Sequence, residues 1–135
     1  MSKFAIIIAI CVLLIACGQP SSKGKTIAMG SAANGLMVTV ENSDGVLKGD
    51  RNRFTITFSD STGNPVDVGA AAVNFHMPAM GTMPTMNDAA TLTTTDTPGV
   101  YEGAVKLQMS GEWRMQIIYE GNAGKGRASF PIVAQ

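Results

Sequence analysis

An immunoglobulin-like antiparallel β-sandwich of about seven strands is the fold predicted for residues 35–135. Three observations predict it. From Leu36 onward apolar and polar residues alternate with a period of two. Turn residues interrupt that alternation at short intervals. No window after residue 16 carries a helical period. Short alternating runs with frequent turns close most simply as two packed antiparallel sheets.

The runs follow in order. Leu36, Val38 and Val40 alternate with Met37, Thr39 and Glu41. Phe54, Ile56 and Phe58 alternate with Thr55 and Thr57. Val73, Phe75 and Met77 alternate with Asn74 and His76. A softer threonine-rich run, residues 91–95, supplies one further strand. Tyr101, Gly103, Val105 and Leu107 share one face, and Trp113, Met115, Ile117 and Tyr119 share another. Ala128, Phe130 and Ile132 close the chain. Pro131 cannot donate to a ladder, so the last run is expected at a sheet edge. Gly-, Pro-, Asn- and Asp-rich stretches at residues 43–45, 61–65, 97–99, 110–111 and 121–122 supply the turns.

The start of the chain reads differently. Lys3 precedes an apolar run over residues 4–15. That run is too short to span a bilayer comfortably and suits the apolar region of a secretory signal. Leu14-Ile15-Ala16-Cys17-Gly18 then resembles the lipobox of bacterial lipoproteins. The resemblance implies a signal peptide at residues 1–16, cleavage before Cys17, and acylation of the Cys17 thiol. Two or more acyl chains anchor a protein stably where one does not. Residues 17–34, rich in Gly, Ser, Lys and Ala, are expected to form a flexible tether reaching roughly two nanometres from the membrane. The expected location is the cell envelope. Gly18 is not the aspartate of an inner-membrane retention signal, which favours the periplasmic side of the outer membrane in a Gram-negative cell.

Composition narrows the function. The two cysteines are Cys11, within the signal, and Cys17, consumed by lipid. No thiol is left for zinc-thiolate or cysteine-nucleophile chemistry. Acidic and basic side chains balance at ten each, with no basic stripe, so nucleic acid is not an expected partner. The single histidine and the turn contexts of Asp60, Asp67 and Asp88 offer no nucleophile–base pair, so an enzyme is not expected.

One segment stands apart. His76-Met77-Pro78-Ala79-Met80-Gly81-Thr82-Met83-Pro84-Thr85-Met86 holds one histidine and four methionines, the methionines at every third position. Its two prolines and glycine predict a loop. Thioether sulfur is soft and neutral and selects Cu(I), and imidazole also suits copper. His76, Met77, Met80, Met83 and Met86 are therefore candidate Cu(I) ligands. The same methionines could fold down as packing over the end of the sandwich, since methionine fills irregular gaps. By alternation Met77 points to the core and His76 away from it.

Four short motifs carry a family resemblance. They are Asp60-Ser61-Thr62-Gly63-Asn64-Pro65-Val66, Met77-Pro78-Ala79-Met80-Gly81, Pro98-Gly99-Val100-Tyr101-Glu102-Gly103 and Met109-Ser110-Gly111-Glu112-Trp113. Their order and spacing, over residues 36–120, resemble the YtkA-like domain, which is similar to the periplasmic part of FixH proteins. The resemblance implies a sandwich at a cell envelope, serving as an accessory part of a metal-efflux or oxidase-assembly system. His76 and the second Met-Pro-Thr-Met element depart from that pattern and favour metal. Two functions stay open from sequence. One is a Cu(I)-binding lipoprotein that buffers copper or passes it to an envelope partner. The other is a metal-free adaptor module that docks on an envelope complex.

Overall fold

The computed structural model describes residues 24–135. The expected signal peptide, Cys17 and the first part of the expected tether lie outside the described residues.

Among the described residues nine strands form two antiparallel sheets. They are β1 (Lys25–Ser31), β2 (Met37–Asn42), β3 (Arg51–Ser59), β4 (Ala70–Met77), β5 (Met86–Ala89), β6 (Thr91–Thr94), β7 (Val100–Lys106), β8 (Gly111–Gly121) and β9 (Gly124–Ala134). One sheet has the order β1-β2-β3-β7-β6 and the other β5-β4-β8-β9. The predicted sandwich is present, with each of the seven expected runs on a strand.

The two additional strands correct the sequence reading. Lys25–Ser31 is not tether: β1 pairs with β2 over its length, with Met29 opposite Thr39 and Ser31 opposite Met37. Its alternation is broken by an irregularity at Ile27, where the register shifts between Thr26 and Ala28, and its inward position 30 carries no side chain. A Cβ on Gly30 would stand 2.8 Å from the Phe130 ring, so glycine lets β9 pack beneath this edge. The second additional strand, β5, emerges from the methionine segment and pairs with β4.

The core lies between the sheets. Val38, Val40, Phe54, Ile56, Phe58 and Tyr101 face inward from one sheet, and Val73, Phe75, Trp113, Met115, Ile117 and Phe130 from the other. Phe54 meets Phe75 edge-on at 5.9 Å between ring centres, and Phe58 meets Tyr119 at 5.2 Å. Such pairs add to the burial of apolar area itself. The edge expected from Pro131 is present, because β9 ends the four-stranded sheet. Leu47 and the C-terminus tie across it, Gln135 N–H donating to the Leu47 carbonyl at 2.8 Å.

Both ends of the sandwich are held by side chain-to-backbone bonds. At one end the Tyr101 hydroxyl donates to the Gly69 carbonyl at 2.5 Å. Burial, and then the nearby Asp67 carboxylate, push the phenol up from its ordinary value, which keeps it protonated as a donor. At the same end Asp60 Oδ1 accepts from the Thr62 hydroxyl and from the Thr62 and Asn64 amides. These bonds, the Thr62 hydroxyl first, hold its carboxyl below the usual value. At the other end Trp113 Nε1 donates to the Met109 carbonyl at 3.1 Å.

Candidate functional site

The methionine segment is the closed end of the β4–β5 hairpin, not an irregular loop. Asn74 pairs with Ala89, His76 with Asn87 and Met77 with Met86. Beyond them Met80 and Met83 form a bridge in the same unbroken register. These two residues exchange both backbone hydrogen bonds, at 3.1 and 2.9 Å. Only Gly81-Thr82 separates them, and Gly81 has φ +57 while Thr82 does not enter the positive region. Positive φ at the first central residue alone is the II′ pattern of a two-residue hairpin. Pro78 and Pro84 interrupt the ladder between the two methionine pairs, because neither can donate to it.

Register divides the candidate ligands. Met77 is 1% exposed and joins the core. Its Cε lies 3.1 Å from where a Cβ on Gly111 would stand. Met86, its cross-strand partner, is half-buried against the same core. The expectation that these two belong to a ligand set is set aside here, since their side chains are used in packing. Met80 and Met83 are the opposite case, 57% and 40% exposed. The structure thus separates Met77 and Met86, packed in and against the core, from the exposed Met80 and Met83, and sets His76 on the outer face of β4. Cys17 lies outside the described residues.

His76 is half-buried on the outer face of the four-stranded sheet. Its Nδ1 lies 2.9 Å from Asn87 Oδ1. The same oxygen accepts from Asn74 Nδ2 at 3.2 Å, and Asn74 Nδ2 also reaches Gln116 Oε1 at 3.3 Å. A polar row thus runs across β5, β4 and β8 beside the imidazole. Arg114, laterally opposite His76, directs its guanidinium toward Ser129 Oγ at 3.4 Å. Among the described residues no three His, Cys, Asp or Glu side chains cluster as a metal site. Any metal chemistry at this end therefore rests on thioethers and one imidazole.

Asp88 departs from its expected role. It sits on β5 opposite Phe75, and Gln108 donates to it through its backbone amide at 3.0 Å and its side-chain amide at 2.9 Å. It ties the edge strand β5 to the β7–β8 connection, which crosses from one sheet to the other. Asn87 and Asn74 were not singled out in the sequence. The signal that could have found them is the mirror symmetry of the methionines about Gly81-Thr82, which sets the register and brings Asn87 opposite His76.

The family model for YtkA-like proteins matches residues 30–118. The chain belongs to the YtkA-like family. No curated protein and no solved structure gives a significant match. The four motifs of this YtkA-like chain meet in pairs at opposite ends of the sandwich. Gly99, from the third motif, packs against the backbone of Val66, from the first. Gly111, from the fourth, makes room for Met77, from the second. In this YtkA-like domain Gly99, Met77, Gly111 and Trp113 serve the fold, and the exposed Met80 and Met83 fill no core position.

Proposed function

We propose that this YtkA-like chain is an envelope-anchored lipoprotein that binds Cu(I) at the tip of the β4–β5 hairpin, buffering the ion or passing it to an envelope partner. The observation that carries the reading is the split of the methionines by register. One is buried in the core and one packs against it, while two stand exposed and directly paired at the tip of the hairpin whose first strand carries the only histidine. Paired Cα atoms that exchange both hydrogen bonds are about 5.5 Å apart, within the reach of two thioether arms to one ion. His76 lies four residues down the strand, roughly 13 Å at the usual rise. Two-sulfur binding needs only Met80 and Met83; a third bond from the imidazole requires the tip to lean over the sheet face, at the ladder gap left by Pro78 and Pro84. Neutral soft ligands favour Cu(I) over Zn(II). A two-sulfur, one-nitrogen set without thiolate also holds the ion loosely enough to hand it on. An alternative is a metal-free adaptor, which would use the exposed tip as a docking surface.

The test is an anaerobic competition titration against a Cu(I) chelator. It uses the full chain in detergent with Cys11→Ser and Cys17→Ser, so that no thiol contributes. The chain should compete at micromolar chelator. The triple variant His76→Ala, Met80→Leu, Met83→Leu should not, with its cooperative thermal melt retained, since none of the three side chains belongs to the core. Met77→Leu should bind like the parent. Absence of competition by the parent, or equal competition by the triple variant, favours the adaptor.

The anchor is tested separately. Because Cys17 closes the lipobox, Cys17→Ser should abolish incorporation of labelled acyl chains and shift the protein out of the detergent phase. Unchanged labelling would show that the lipid is not on Cys17.

A further inference from the structure

We infer that Asn87 is the positioning residue of the site, fixing the tautomer of His76 so that Nε2 is the ligand nitrogen. This rests on the Cu(I) reading above and names the coordinating atom within it. Asn87 Oδ1 is an oxygen and can only accept, so the 2.9 Å contact requires the proton on Nδ1 of His76. The amide itself is held the right way round, because Asn74 Nδ2 donates to the same oxygen at 3.2 Å. Reversing the Asn87 amide alone would set its NH₂ against that of Asn74; the mirror arrangement, with the Asn87, Asn74 and Gln116 amides all reversed, puts the proton on Nε2 and is the outcome that the spectra below would reveal. In the neutral ring the lone pair is then left on Nε2. An isolated neutral imidazole prefers the opposite arrangement, with its proton on Nε2, which would leave the metal only the nitrogen nearer the backbone.

Asn87 is well suited to this role. It sits on β5 directly opposite His76 in the register, so the contact is part of the strand pairing and not a chance surface approach. It is exposed and takes no part in the core, so its replacement leaves the fold in place. Metal-binding histidines characteristically donate their other ring N–H to such an acceptor, and loss of the partner weakens metal binding by about 10–100-fold.

The chain has one histidine, so its ring nitrogens can be read without assignment. The experiment records long-range ¹H–¹⁵N spectra of the metal-free full chain, with Cys11→Ser and Cys17→Ser, in detergent at about pH 8.5, where an ordinary imidazole is neutral. It compares the parent with Asn87→Ala and Asn87→Asp, and then measures Cu(I) affinity by chelator competition. The parent should show the proton on Nδ1. Asn87→Ala should move it largely to Nε2 and weaken Cu(I) about 10–100-fold. Asn87→Asp, which keeps an acceptor, should restore the parent tautomer and an affinity within tenfold of the parent. A parent proton found on Nε2 overturns the inference whatever the copper result. So does Asn87→Ala binding Cu(I) as tightly as the parent, which leaves the copper reading standing. Failure of the parent to bind Cu(I) at all removes the copper reading and this inference with it.

Discussion

Replacing Trp113 with alanine is expected to destabilise the domain by about 3–5 kcal/mol, as large-to-small aromatic changes in cores do. Trp113 is 1% exposed and has the largest side chain among the fully buried residues. It stands on β8 opposite Ile132 of β9, with Met115 two residues along on the same face. The loss has two parts. The indole leaves a void that neighbours held by two ladders cannot refill. The Met109 carbonyl also loses the Nε1–H that satisfies it at 3.1 Å. In a domain of this size the change should lower Tm by at least about 12 °C. A urea melt showing less than about 1 kcal/mol would mean that the indole is not anchoring the core. The same position rules out the indole as an exposed face for a ligand.

Most of this fold was legible because most of it is built by burying one face of each strand. Wherever a strand buries a row of large apolar residues, as β3 and β8 do, the period of two is plain in the sequence. The strands that escaped are those held in other ways. β1 shifts register at Ile27, which breaks its alternation, and carries Gly30 where Phe130 needs a gap, so its inward face has no large apolar row. β5 reads Met-Asn-Asp-Ala and has almost no apolar face. Its inward residue Asp88 is satisfied by Gln108, and its outward residue Asn87 by Asn74 and His76. Hydrogen bonds of that kind depend on residues far along the chain, and no local pattern announces them.

The methionine segment shows the same limit at the site. A spacing of three and two prolines suggest a loop in which the sulfurs of Met80, Met83 and Met86 are equivalent. A hairpin centred on Gly81-Thr82 makes them unequal, because each methionine inherits the face of its strand position. The outward direction of His76 and the inward direction of Met77 followed from alternation alone. The inward direction of Met86 did not, because it depends on pairing across the turn.

Gly99→Ala is expected to cost about 2–5 kcal/mol, with Gly63→Ala as its control. The two glycines share the same backbone angle, φ +86. Adding a Cβ in that region costs roughly 1–2 kcal/mol by itself. They differ in what the Cβ would meet. At Gly63 nothing lies within 4 Å, so the backbone cost stands alone. At Gly99 the Cβ would fall 2.3 Å from the Val66 carbonyl oxygen and 2.8 Å from its nitrogen. Those are backbone atoms with little room to yield, because Val66 N–H donates to the Phe58 carbonyl at 2.8 Å and Phe58 N–H donates to the Gly99 carbonyl at 2.9 Å. Relief must come from moving β3, β7 or the turn that Asp60 closes, and overpacking of this kind adds about 1–3 kcal/mol. The difference between the two variants in a urea melt therefore measures how rigidly the first and third family motifs are joined. A Gly99→Ala variant no less stable than Gly63→Ala would show that this contact yields freely, and that the glycine is needed for its backbone angle only.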